Sequence, residues 1–319
     1  MRVGDDRRRV TGRGSDVARG IELPEPADDG RAMREAGPWA LDKLGTVKLY
    51  LPAFTQACKK AGAPNLVDGF AGPGINVIKS TGQLTWGTAM LGVGTVPPFG
   101  RCLTMDLDSE NVDALSARAH NINDRAIVLQ GDANAHLVPA MRANLDPGLP
   151  TVVVLDPQGP HLEWATVEQI AAFRTGRNKA EQLILLPTHI GMLRELPSDP
   201  EAAIAEWAER DFMRVFGNDR WHAILQERQN KRITTDEATT KYVQLYGRGL
   251  REQLDYAYVF EREVRWGGPH GQLMYFLVYA TDHPAGGKIM DHCFNYSAFE
   301  PEQPALPGLE PPRRRRLDR

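Results

Sequence analysis

The sequence predicts an α/β fold in which a mostly parallel sheet is covered by helices and completed by an antiparallel terminal hairpin. Three observations carry this. Short β-branched or apolar runs alternate with stretches of helical spacing through the middle of the chain. Each run ends in a small-residue or acidic turn. Near the C-terminus, two β-rich runs are separated by Gly267-Gly268-Pro269-His270-Gly271-Gln272, a hairpin connection.

Residues 1–37 are rich in Arg, Asp, Gly and Pro and poor in aromatics, a composition expected to form a disordered leader. Trp39 to Lys60 reads as an amphipathic helix with Leu44, Val47, Leu51 and Phe54 at helical spacing. Strands are expected at Asn65–Phe70, Arg101–Leu107, Arg125–Gln130, Thr151–Leu155 and Gln182–Pro187. Helices are expected between them at Ser109–Ala119, Ala135–Asn144 and Thr166–Phe173. From Pro197 the pattern turns helical, with Glu201–Phe216, Trp221–Glu227 and Asp236–Leu254 as helices. Tyr256–Trp266 and Leu273–Thr281 form the hairpin. The expected organisation is a single domain over 38–299, with a helical insertion over 197–254 and a Pro/Arg-rich tail over 300–319.

Composition narrows the function classes. Lys and Arg number 38 against 41 Asp and Glu, a formal charge of −3, so no whole-molecule field draws the protein to nucleic acid or an anionic membrane. The basic clusters Arg7-Arg8-Arg9 and Arg313-Arg314-Arg315-Arg316 are read as solvated tails. Cys58, Cys102 and Cys293 are widely spaced, with neither a disulfide framework nor metal-ligand spacing. No metal site is expected, and His161, His189 and His270 receive no role. With no apolar run of about 18 residues and no signal core, a cytoplasmic location without membrane contact is expected.

Four turns carry the chemistry. In Leu66-Val67-Asp68-Gly69-Phe70-Ala71-Gly72-Pro73-Gly74 an acid ends the first strand, and glycines let the backbone bend tightly against a ligand. The third glycine of a pyrophosphate-binding turn is missing at Val77, which argues against a dinucleotide and hydride chemistry. Asp106, ending the second strand, is placed to accept from ribose hydroxyls. It lies 38 residues after Asp68, against roughly 20 in a compact nucleotide unit. Ile75 to Gly100 is therefore expected to be a loop or excursion. In Gly131-Asp132-Ala133-Asn134, Asp132 serves a nucleobase amine, a helix N-cap, or both. Asp156, in Leu155-Asp156-Pro157-Gln158-Gly159, is the candidate to hold an attacking group or take its proton, with an Asp-Pro turn as the plain alternative. Trp164 is expected in the core, as is the run Met274 to Tyr279.

In this order the turns resemble the three-Cys-motif partner (TcmP) family. The resemblance spans Trp39 to Ile289. It rests on Trp39, Lys43 and Tyr50-Leu51-Pro52-Ala53-Phe54, on the Asp68–Gly74 turn, on Gly131-Asp132-Ala133-Asn134, on Leu155–Gly159 with Trp164, on Phe216-Gly217 with Trp221, and on the hairpin. It implies a Rossmann-like class I methyltransferase sheet and a radical-adenosylmethionine-like three-Cys-motif protein as partner. It further implies S-adenosyl-L-methionine held around Lys43, Asp68, Phe70, Ala71, Gly72, Gly74, Asp106, Asp132 and Ala133, with Asp156 and Gln158 facing the acceptor. A more distant resemblance is to the enzymes that methylate the exocyclic amine of a ribosomal RNA adenine, through the Asp-x-Phe-Ala-Gly-x-Gly turn and a leading-helix lysine matched by Lys43. Those enzymes carry a proline and an aromatic ring after their Asp/Asn-Pro, where this chain has Gln158 and Gly159. The departure removes the ring that stacks on a flipped base. Two readings follow: a methyltransferase whose acceptors include nucleic-acid bases, or a cofactor-binding partner protein without turnover.

Overall fold

A computed structural model describes residues 20–186, 196–197, 204–267 and 271–295. In chain order, β1 (Arg34–Ala36) and α1 (Ala40–Cys58) lead into β2 (Asn65–Asp68). Then come β3 (Ile75–Ile78), β4 (Leu84–Trp86), α2 (Thr88–Val93), β5 (Arg101–Asp106), α3 (Ser109–His120), β6 (Ala126–Gln130) and α4 (Ala133–Asn144). β7 (Thr151–Leu155), α5 (Trp164–Ala171) and β8 (Glu181–Leu186) finish the alternating part. Three helices, α6 (Glu206–Phe216), α7 (Trp221–Gln229) and α8 (Thr235–Glu252), precede the hairpin β9 (Tyr258–Trp266) and β10 (Gln272–Thr281), and α9 (Pro284–Asn295) follows it.

The seven-stranded sheet has the order β6-β5-β2-β7-β8-β10-β9. β10 pairs antiparallel with both neighbours, and the other pairings are parallel. This is the expected sheet, with its parallel strands and terminal hairpin. The chain steps outward from β2 through β5 to β6, then returns to the other side of β2 with β7. Ligands of open α/β sheets lie at such a reversal, beyond the strands' carboxyl ends. Register places Asp68 beside Val154, so the turn after β2 and the turn after β7 emerge side by side.

Side-chain alternation sorts the sheet into two faces. Val153 and Leu155 of β7 join Leu137, Met141, Val167 and Ile170 of α4 and α5 in one core. Val152 and Val154 point the other way, into a core with Val47, Leu51 and Phe54 of α1 and Met290 of α9. Every residue of β7 is buried, which is what its unbroken Thr-Val-Val-Val-Leu run requires of a central parallel strand. The insertion is an extension of the first core: Trp164 packs edge-on against Tyr246 of α8, and Phe212, Trp221 and Tyr242 form an aromatic cluster beside it. Trp164 and the Met274–Tyr279 run are core residues, as expected. Helix α8 begins with a capping box between Thr234 and Glu237.

Three segments differ from the expectation. Residues 20–36, read as part of a disordered leader, form an ordered arm: Ile21 bridges Thr95, Trp86 Nε1 donates to the Pro24 carbonyl at 2.8 Å, and β1 pairs parallel with β3. A few polar contacts, one short strand and the packing of Ile21 and Leu23 on the core order it, and none of these leaves hydrophobic periodicity in the sequence. Residues 1–19 lie outside the described residues, as do the Pro/Arg-rich tail, His189 and His270. The excursion from Ile75 to Gly100 is structured, with β1-β3-β4 forming a small second sheet and α2 buried against β2 and β5. α9, absent from the sequence reading, packs on α1. Among the described residues no helix is long and apolar enough to cross a membrane.

Leu137 ties this packing to the sheet edge, because its Cδ2 would lie 2.9 Å from a Cβ at Gly69, directly under the turn after β2. Leu137→Ala is expected to lower the unfolding free energy by about 2–5 kcal/mol in a urea titration, since the side chain is fully buried.

Candidate active site

The turn after β2 needs backbone that only glycine adopts easily. Gly72 and Gly74 have φ of +62° and +91°, in the left-handed region. At Gly74 a Cβ would meet Leu115 and Met90 at 2.9 and 3.0 Å. The turn is held from several sides. Gly69 N–H donates to the Val154 carbonyl at 3.1 Å, Ala71 N–H to the Met105 carbonyl at 2.9 Å, and Gly72 N–H to Asp106 Oδ2 at 2.8 Å. Asp106 Oδ1 also accepts from Asp108 N–H and from Asn111 Nδ2, each at 3.0 Å. Three of about four acceptor positions on this carboxylate are filled by protein donors. Asp106 therefore shapes the turn and keeps room for one further bond, rather than the two-hydroxyl contact expected from the sequence.

Asp132 is exposed and caps α4, accepting from Asn134 N–H at 2.9 Å. Ala133 is buried as the first residue of that helix. Asn134 fastens the loop after β7: its Oδ1 accepts from Glu163 N–H at 3.0 Å and Thr166 Oγ1 at 2.9 Å, and its Nδ2 donates to the His161 carbonyl at 2.6 Å. The Asp132 turn and the Asp156 turn are thereby coupled.

Lys43, one turn into α1, forms an ion pair with Asp156 in which both side chains are largely buried. Asp68 lies beside this pair, fully buried, with Oδ1 accepting from Phe70 N–H at 3.1 Å. Burial pushes its carboxyl up to about 7; the Phe70 N–H opposes this, the Asp156 charge adds to it, and Lys43 and Arg34 pull it down. Phe70 is half-buried against the core under α4 and Ala71 is buried. Gln158 is exposed, and the amide orientation that satisfies both groups has its oxygen accept from the Arg34 guanidinium, with Nε at 2.9 Å. The structure thus brings Lys43, Asp68, Gly72, Gly74, Asp106, Asp156 and Gln158 together at the carboxyl ends of β5, β2 and β7, with the Ala133 Cβ 3.7 Å from where a Cβ at Gly69 would stand and Asp132 next to it in sequence.

The sequence reading missed several neighbours. Arg34 enters from β1, and a Cβ at Gly72 would lie 3.5 Å from its Nη1. Arg118 of α3, buried, donates through Nη1 to the Pro73 carbonyl at 2.6 Å. Trp39 meets Trp266 edge to face at 6.4 Å, four residues before Lys43. Only the helical spacing of Trp39 and Lys43 was visible beforehand; nothing local marks an arginine that bonds across the fold. No cluster of metal-ligating side chains occurs among the described residues.

No family model matches the chain, and no curated protein matches it. Solved structures similar to it include a protein from Legionella pneumophila strain Philadelphia 1 (10% identity, 80% of this chain and 92% of that one, TM-score 0.41). Others are the methyltransferase domain of bacterial CtHen1 (13%, 76% and 99%, 0.38) and an O-methyltransferase from Bacillus cereus in complex with SAH (13%, 75% and 80%, 0.39). At such values the likeness decides nothing about ligand or reaction, which rest on the chain's own residues.

The buried Asp68 has a measurable consequence. Its folded-state carboxyl sits above the ordinary value, so the folded protein holds a proton that the unfolded chain releases, and stability falls as pH rises from about 4 to 7. Asp68→Asn is expected to remove this component, flattening thermal stability against pH across that window. An unchanged slope would show that Asp68 is already ionised in the fold.

Proposed function

We propose that the protein is an S-adenosylmethionine-dependent methyltransferase, with the cofactor in the crevice after β2 and the acceptor beside Asp156. The observation that carries this reading is the bare Gly72–Gly74 turn at the sheet's reversal point, flanked by acids from three successive strand ends. The left-handed glycine backbone lets the turn bend sharply between β2 and the excursion, and leaves its peptide groups beside the strand-end acids.

The cofactor supplies a methyl group activated on a sulfonium. The protein's own residues bind and orient. The glycine turn admits close approach of the cofactor, Asp106 offers its remaining lone pair to a ribose hydroxyl, and the N-terminal turn of α4 at Asp132 and Ala133 borders the base. Asp156, fixed by Lys43, accepts a hydrogen from the acceptor group and holds its lone pair in line with the methyl. Alignment is the main contribution such a site makes.

We take the acceptor to be planar, a nucleic-acid base among others. Trp266 is 41% exposed where it meets Trp39, which stands one helical turn before Lys43, and its ring would supply the stacking face that the sequence lacks after Asp156-Pro157. Gln158, engaged by Arg34, follows Asp156 in the same loop. In the resemblance to the three-Cys-motif partner family, a radical-adenosylmethionine-like protein would dock elsewhere. We place it on the α6–α8 insertion, where Trp207 of α6 is exposed.

Calorimetric titration with S-adenosylmethionine tests the first half of the proposal, and the absence of binding at high micromolar ligand would refute it. For the second half, Asp156→Ala is expected to retain cofactor affinity within about twofold while lowering turnover by roughly 100-fold or more. Turnover is read with labelled cofactor on cellular RNA, DNA and protein fractions. Normal turnover by that variant would move the acceptor site away from Asp156.

A further inference from the structure

The arm over residues 20–36 does more than cover the sheet edge. It runs back to the turn after β2 and is latched there by one guanidinium. Arg118, 5% exposed, holds Asp29 with two bonds, Nε to Oδ2 at 2.9 Å and Nη2 to Oδ1 at 2.5 Å. Its Nη1 donates both to the Ala32 carbonyl of the arm at 2.8 Å and to the Pro73 carbonyl of the glycine turn at 2.6 Å. The same bonds hold the Asp29 carboxyl below its ordinary value. A buried arginine thus fastens arm to turn, and two residues after Ala32 the chain enters β1 with Arg34.

Arg34 is set apart from the other cations at the crevice. Lys43 is neutralised by Asp156 and Arg118 by Asp29. Among the described residues Arg34 pairs with no carboxylate; its recorded partner is the neutral amide of Gln158. Its guanidinium packs over the buried Gly72, 3.5 to 3.8 Å from where a Cβ would stand. The pairing of β1 with β3, in register Arg34 to Asn76, fixes it there, because β3 begins directly after Gly74. A half-buried, planar, five-donor cation facing a bare glycine turn is suited to a carboxylate.

We propose that Arg34 binds the carboxylate of the cofactor's amino-acid end, so that the arm is a wall of the cofactor site. This rests on the cofactor reading above and adds a residue and a segment to it. On binding, the Gln158 amide gives up the guanidinium, whose fork turns to the stronger charged acceptor.

The test compares two ligands. S-adenosylhomocysteine carries the carboxylate; 5′-methylthioadenosine keeps the adenosine and thioether and lacks the amino-acid end. In calorimetric titrations of the full chain, Arg34→Gln and Arg34→Ala are each expected to weaken S-adenosylhomocysteine by about 10- to 100-fold. Methylthioadenosine affinity should change by less than about threefold, and Arg34→Lys should recover part of the loss, since it keeps the charge without the fork. Equal binding of S-adenosylhomocysteine by wild type and Arg34→Gln would overturn the proposal while leaving the cofactor reading intact. Equal weakening of both ligands would overturn it too, showing that Arg34 supports the arm's fold. Wild-type protein that binds neither ligand would refute the cofactor reading and this proposal together.

Discussion

Two bonds to the turn after β2 set the geometry on which the rest of the site depends. Asp106 accepts from the Gly72 N–H, and Arg118 donates to the neighbouring Pro73 carbonyl. The first ties the turn to the end of β5; the second ties it to α3 and, through Asp29 and Ala32, to the N-terminal arm. The turn has two left-handed glycines and is buried, so its conformation is imposed by the groups packed and bonded around it. A third bond, Gly69 N–H to the Val154 carbonyl at 3.1 Å, ties the start of the turn to β7 and keeps it beside the Asp156 loop.

The arrangement of charge follows from the same topology. Parallel strands deliver their acids to one edge, and burial there is costly unless each acid finds a donor. Asp106 finds three, Asp156 finds Lys43, and Asp68 finds a single N–H and holds its proton up to about neutral pH. A cofactor with a cationic centre and an anionic end would meet complementary partners in this set, with the acids around the glycine turn and Arg34 at its open side.

The parallel sheet was legible because its strands are short apolar runs with acidic ends, and a central strand such as Thr151–Leu155 has no other stable place than a buried one. Asp68, Asp106, Asp132 and Asp156 were legible for the same reason, since each follows a strand. What the sequence could not display is cross-chain pairing. Arg34 and Arg118 look like solvent-facing arginines in a polar segment and a helix, yet they converge on the glycine turn. The arm was assigned to a leader because its order comes from hydrogen bonds with Gly94, Val96, Trp86 and Arg118 and from two isolated apolar residues, Ile21 and Leu23, rather than from a periodic hydrophobic pattern. Asp106 was read as a free acceptor because nothing in the sequence reveals that Gly72, Asp108 and Asn111 all turn their donors to it.

The most direct measurement of the central claim is hydrogen–deuterium exchange of the full chain with and without S-adenosylhomocysteine. A cofactor seated on the turn after β2 should slow exchange in peptides covering 69–75, 105–109 and 131–135, together with the arm around residues 29–36. Protection confined to the α6–α8 insertion, or none at the glycine turn despite binding, would contradict the account.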